Sequence, residues 1–276
     1  MIVLHRALQS LWWTWYFALA AGAALAQTPA EPFQPTVGQE GKDVVWVPTP
    51  HSLVETMLDM AQVTPQDYVI DLGSGDGRNV IAAAKRGARA LGVEYNPDMV
   101  DLSRRAAATE GVADKATFVQ GDMFEADISQ ATVLALFLLP ENMRRLTPKF
   151  LDLRPGSRIV ANTFGIDGWK ADATDKGPGE CTSWCTALLY IVPAKVAGTW
   201  RLPHGELALE QSFQMVSGVF TTGGESLPIT NGRLRGDEIT FTAGGIEYAG
   251  RVNGDTMEIN LKGSTTAFWT ATRLRS

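Results

Sequence analysis

VIDLGSGDGRN, Val69 to Asn79, decides the fold of this chain. An apolar run ends in an acid, three glycines follow at every second position (Gly73, Gly75, Gly77), and Arg78 opens the stretch RNVIAAAKR. The pattern predicts a buried strand over 67–72, a tight loop, and a helix over 78–86. Glycine adopts positive φ without a Cβ penalty and lets backbone approach a ligand closely. A pyrophosphate-binding turn needs G-x-G-x-x-G, and the position that would complete it, 78, is Arg. The spacing therefore argues against NAD or FAD, although a glycine loop alone can also be a plain turn.

Working outward, strands are predicted at 89–94, 116–120, 132–139, 157–163 and 187–192, and helices at 97–109 and 141–151. Ahead of the loop, Leu53, Val54, Met57, Leu58 and Ala61 recur at helix spacing over 52–61, just after Thr49-Pro50. Strands alternating with helices predict an α/β fold, a doubly wound parallel sheet covered on both faces. Ligands of such sheets lie beyond the carboxyl ends of the strands. Asp71, Glu94 (ending ALGVE) and Asp122 (after FVQG) all fall there. Glu94 is placed to accept both hydroxyls of a ribose and Asp122 to meet an adenine amino group. Singly, each reads as well as a strand-end or helix-cap residue.

With DLGSGDG (71–77), GVEYN (92–96) and GDMF (121–124) in this order, residues 44–197 resemble a class I, seven-strand S-adenosylmethionine-dependent methyltransferase. DLGSGDGRNVIAAA (71–84) and LFLLPENMRRLTPKFLDLRPGSRIVANTF (136–164) resemble small bacterial members, themselves similar to non-SET protein-lysine methyltransferases. The resemblance implies a Rossmann-like sheet, S-adenosyl-L-methionine as donor, and donor binding by Asp71, Gly73, Gly75, Gly77, Glu94 and Asp122. It also implies N-methylation of a protein lysine, with a small molecule as the other acceptor class.

Methyl transfer from a sulfonium is an in-line displacement, so alignment and exclusion of water matter most and no dedicated acid or nucleophile is demanded. Residues 138–142 are expected to line the acceptor side. They lack the Asn-Pro-Pro-aromatic loop of amino-methylating DNA enzymes, which removes support for a nucleobase acceptor. Glu141 or Asn142 could orient an amine, but first-turn helix roles explain them equally well. Asn162 to Phe164 is a second, weaker candidate for the acceptor side.

The 276 residues, 45% hydrophobic and 20% charged, can bury a substantial core. A net charge of −6 supplies no basic field, so nucleic acid is not an expected partner. His51 and His204 are far apart and suggest no metal cluster. His5 and Arg6, the apolar run Leu11 to Ala24 and the small-x-small triplet Ala24-Leu25-Ala26 read as a signal peptide over 1–26, cleaved after Ala26. An uncleaved membrane anchor is the other reading, favoured by interfacial Trp and Tyr residues. Either reading puts the chain outside the cytoplasm, periplasmic or membrane-anchored. Residues 27–43 then read as a linker and 44–194 as the methyltransferase domain. Outside the cytoplasm, Cys181 and Cys185 are expected to form a local disulfide.

Over 195–276 the helix signals give way to short alternating runs broken by Gly-Gly, Asn-Gly and Gly-Asp pairs, as in antiparallel hairpins. RLRGDEITFTAGG (233–245) and RVNGDTMEINLKG (251–263) repeat at an offset of 18, with Leu234, Ile239 and Phe241 matching Val252, Met257 and Ile259. A small antiparallel barrel or meander is expected, capped by Trp200 and Trp269. The sequence leaves a second function open: an exported, non-catalytic protein that binds S-adenosylmethionine or S-adenosylhomocysteine and uses its β domain for a partner or ligand.

Overall fold

The computed structural model describes residues 33–178, 183–263 and 268–274, and residues 33–276 form one compact unit. The expected signal or anchor over 1–26, with its cleavage site, lies outside the described residues.

α1 (His51–Met60) precedes β1 (Tyr68–Leu72), α2 (Arg78–Lys85), β2 (Arg89–Glu94), α3 (Pro97–Thr109), β3 (Ala116–Gln120), β4 (Val133–Leu136), α4 (Pro140–Leu151) and β5 (Arg158–Asn162). β6 (Ala173–Lys176) and β7 (Thr186–Ile191) complete a seven-stranded sheet of order β3-β2-β1-β4-β5-β7-β6. Its first five members pair in parallel, as the alternation predicts. β7 runs antiparallel to β5, and β6 antiparallel to β7, so the sheet is mixed rather than wholly parallel. A parallel return needs a crossover, usually a helix, and no helix is described between β5 and β7. β6 carries four exposed residues and so had no apolar pattern by which to be predicted.

Both faces of the sheet are covered. Leu53 and Met57 of α1, Val80 and Ala83 of α2 and Val100 of α3 pack on Val69, Val133 and Val160. Met143, Leu146 and Phe150 of α4 pack on the opposite face with Ile70, Leu72, Leu134 and Ile159. Alternate residues of β1 thus serve opposite layers. Asp67, just before β1, accepts hydrogen bonds from Thr132 Oγ1 (2.7 Å), Thr64 N (2.8 Å) and the Arg158 guanidinium, clamping the starts of β1, β4 and β5. Burial opposes ionisation of Asp67, but these partners outweigh it and hold its carboxyl below the usual range.

β8 (Gly198–Leu202), β9 (Gly205–Ser212), β10 (Met215–Thr222), β11 (Glu225–Arg235), β12 (Glu238–Ala243), β13 (Ile246–Asn253), β14 (Thr256–Leu261) and β15 (Phe268–Arg273) form a closed barrel. Each strand pairs with its sequence neighbour, and β15 closes on β8. All six apolar positions of the repeat point inward and are buried. Gly236 (φ 64°) and Gly254 (φ 59°) open the corresponding two-residue turns, the position at which a type II′ hairpin requires glycine. Trp200 does not cap the barrel: it is fully buried in the interior, its Nε1 donating to Val196 O at 2.8 Å. Trp269 likewise packs against the interior beside Tyr248. An indole filling a small closed barrel buries more apolar area than one at the rim.

The barrel is seated on the segment between β5 and β6. Phe213 stacks on Trp169 with centroids 5.3 Å apart, and Gln214 donates to Lys170 O at 2.6 Å. Asp172 accepts from Arg233 (2.6 Å) and from Ile191 N (2.8 Å).

Candidate active site

The loop after β1 has the geometry its glycines predict: Gly73, Gly75 and Gly77 take φ of 72°, 56° and 82°. Gly73 N and Ser74 N both donate to Val93 O, holding the loop over the end of β2. A Cβ on Gly75 would lie 2.7 Å from Trp46 Nε1, at the cavity wall. Gly77 plays a different part. It does not line the cavity; as the residue preceding α2 it faces inward, where a Cβ would lie 2.6 Å from the Phe118 ring. Gly75 keeps space for a ligand, whereas Gly77 lets α2 and α3 approach the sheet.

Beyond the strand ends lies a cavity of ≈ 200 Å³, lined by Asp71, Gly73, Ser74 and Gly75, by Glu94 and Tyr95, and by Asp122. The three acids read from sequence therefore meet in one space. Both Glu94 oxygens accept backbone N–H groups, from Gly75 and from Asn96, each at 2.9 Å, and this ties the second acid to the glycine loop. Asp71 is buried with Asn79 Nδ2 3.1 Å away; burial raises its carboxyl well above the usual range, the Asn79 amide opposes this, and the charge of Glu94 adds to it. Asp122 is held below the ordinary range by its hydrogen bond from Lys42 and by Phe124 N–H.

Residues 39–49 form another wall of the cavity, which sequence reasoning missed. Trp46 N donates to Gln39 O and Gly38 N to Trp46 O, closing a turn; Lys42 pairs with Asp122 and stands 5.0 Å over the Tyr95 ring. The described part of the stretch read as a linker, 33–43, is thus partly anchored on the site. Its turn residues carry no periodicity, and the Lys42–Asp122 contact spans 80 positions.

The acceptor candidates fare unevenly. Leu138 and Leu139 line the cavity, as does Phe164, but Glu141 and Asn142 do not. Glu141 is exposed and bonded to Arg144 at 2.6 Å, which holds its carboxyl below the usual range. Asn142 is buried, with Nδ2 donating to Asp43 O at 3.3 Å. Both sit on the first turn of α4: Glu141 acts locally there, whereas Asn142 holds the 39–49 wall through Asp43. Asn162 is fully buried and bonds Thr49. Phe137 and Trp184, not singled out by pattern, also line the cavity. Cys185 is disulfide-bonded, while Cys181, its expected partner, lies outside the described residues.

The ANTKMT methyltransferase domain matches residues 71–173, from the end of β1 to the start of β6. A protein-lysine N-methyltransferase of Saccharolobus islandicus is 43% identical over 129 residues, covering 46% of this chain and 80% of that protein. The chain belongs to this methyltransferase family. It is an enzyme that uses S-adenosylmethionine as methyl donor. The adenine nucleotide translocase lysine N-methyltransferase of Mus musculus is 30% identical over 154 residues, and the match covers 51% of this chain and 67% of that protein. The crystal structure of an RNA methyltransferase from Salinibacter ruber, in complex with S-adenosyl-L-homocysteine, is 43% identical at a TM-score of 0.50, covering 54% of this chain and 96% of that one. The ANTKMT match ends before the barrel, which begins at Gly198.

The residues present suit the donor. Gly73 and Gly75, both at positive φ, let backbone approach a ligand in the cavity, and Asp71, Glu94 and Asp122 bring three carboxyl groups into the same space.

Proposed function

We propose that the chain methylates the side-chain amine of a protein lysine outside the cytoplasm. The observation that carries this reading is that one cavity spans the sheet edge. The strand order puts the ends of β3, β2 and β1, with Asp122, Glu94 and Asp71, on one side and the ends of β4 and β5, followed by Phe137 and Phe164, on the other. Donor and acceptor can therefore share one space. The 43% identity to a protein-lysine N-methyltransferase supports lysine as the acceptor.

Bound S-adenosylmethionine supplies an electrophilic methyl group on a sulfonium. In this reading Glu94 accepts the ribose hydroxyls, Asp122 meets the adenine amino group, Asp71, Gly73 and Gly75 hold the amino-acid end, and Gly77 acts by setting α2. Leu138 and Leu139 exclude water while the walls align the acceptor nitrogen, which arrives as an ammonium and has released its proton to bulk solvent, with the methyl group. The apolar run Leu11 to Ala24 and the triplet Ala24-Leu25-Ala26 support export.

Calorimetry should show S-adenosylhomocysteine binding to residues 27–276 and its loss in Gly75→Arg, whose side chain would enter space held by Trp46. Incubating the protein with an envelope fraction and methyl-labelled donor should place label in N-methyllysine after hydrolysis; label only in nucleic acid or small molecules would overturn the lysine reading. A reporter active only outside the cytosol, fused after Ser276, should be active and should fall silent when Leu11 to Ala26 is deleted.

A further inference from the structure

Phe137, Phe164 and Trp184 come from three separate segments and meet at the acceptor side of the cavity. Phe137 follows β4, Phe164 follows β5, and Trp184 precedes the antiparallel β7, so all three stand at the same sheet edge. The Phe137 and Phe164 rings are nearly parallel, 16° apart with centroids at 6.1 Å, and the Trp184 ring lies 6.4 Å from Phe137 at 54°. None of the three belongs to any of the described hydrophobic cores, and Trp184 is 46% exposed. Core packing does not account for them.

The backbone is strained where it places two of these rings. Thr163, immediately before Phe164, has φ 58°, and Trp184 has φ 54°. For a β-branched or bulky residue this region is an outlier, and such outliers persist only where surrounding contacts hold them. Those contacts are present: Thr163 N donates to Thr186 O at 2.6 Å and Thr163 Oγ1 to Asn162 Oδ1 at 2.9 Å. One bridge across the ends of β5 and β7 thus fixes the residues that precede Phe164 and follow Trp184.

Charge selects among the ligands an aromatic set could take. Glu40, Asp43, Asp76, Glu94 and Asp122 line the cavity against two cations, Lys42 and Arg78, while burial pushes the Asp71 carboxyl towards its neutral form. Stacking a nucleic acid requires a basic groove beside the aromatic faces, which this lining lacks. An alkylammonium suits both features, because ring faces attract cations and acids reinforce the field.

We propose that Phe137, Phe164 and Trp184 form an acceptor subsite that selects an alkylammonium through cation–π contact, which makes them specificity-determining residues. The inference rests on the lysine reading and is tested apart from it. The purified chain, saturated with S-adenosylhomocysteine, would be titrated with choline and with its neutral isostere 3,3-dimethylbutan-1-ol, followed by the indole N–H signals. Choline should bind about tenfold more tightly, the scale of a partly desolvated cation–π contact. Trp184→Phe should keep most of that preference and Trp184→Leu, which retains apolar bulk, should reduce it to less than about twofold, with S-adenosylhomocysteine affinity unchanged in both. Equal binding of the two probes, an undiminished preference in Trp184→Leu, or tighter binding of uridine monophosphate than of choline would overturn the proposal. Failure of S-adenosylhomocysteine to bind the unmutated chain would instead remove the donor reading, and the subsite with it.

Discussion

The sheet and the barrel solve different problems in one compact unit. In the sheet, β1 pairs with β4 more than sixty residues away, a carboxylate is buried at Asp71, and Ser74 Oγ has no partner. In the barrel, all but the closing pair of strands are sequence neighbours, and apolar side chains fill the interior. Among the described residues, none of the barrel lines the cavity at the strand ends. Carboxyl groups and positive-φ glycines gather at the strand ends that line the cavity, whereas the barrel interior is filled by apolar side chains. Stability and ligand binding should accordingly respond to different substitutions.

The largest effect on stability is expected from Ile239→Ala, which empties a fully buried position in the barrel. It should cost about 2–5 kcal/mol, read as a fall in denaturation midpoint with donor affinity unchanged. A parallel loss of donor affinity would break the separation.

Asp122→Ala is the reverse case. Removing an acceptor of a charge-assisted bond should weaken donor binding by about tenfold or more, while Tm stays near that of the unmutated chain because Asp122 is in no core. Calorimetry beside thermal denaturation would show it.

Asp71→Asn sharpens the comparison through pH. The folded-state pKa of Asp71 is raised by burial. Its stabilising contribution is therefore fully present below the unfolded value of 3.8 and is lost as pH rises through the folded value. The neutral variant should exceed the unmutated chain in Tm at pH 8, converge with it near pH 4, and bind donor more weakly. A lower Tm at pH 8 would show that the carboxylate stabilises the fold.

The smallest effect belongs to the seam. Arg233→Ala leaves the buried Asp172 carboxylate, 7% exposed, with its Ile191 N–H bond and should cost about 1–3 kcal/mol, limited because the arginine side chain is itself 42% exposed. A much larger loss, measured by denaturant unfolding, would show that the barrel depends on this ion pair for its seat.

The glycine spacing of 73–77, the three strand-end acids and the apolar positions of the 233–263 repeat were legible in the sequence, because φ preference and alternation are properties of a few consecutive residues. Element limits followed to within a few residues. The four exposed residues of β6, the reversal of β7 and the interior place of Trp200 were not legible. Nor was the anchoring of Lys42 on Asp122, of Asn142 on Asp43, or of Phe137 beside Phe164 and Trp184. The sequence by itself determined the sheet-then-barrel order, the glycine loop and the acids at the strand ends. The tertiary structure alone decided what closes the cavity and which aromatic rings line it, because those contacts join segments 20 to 100 positions apart that only sheet order and packing bring together.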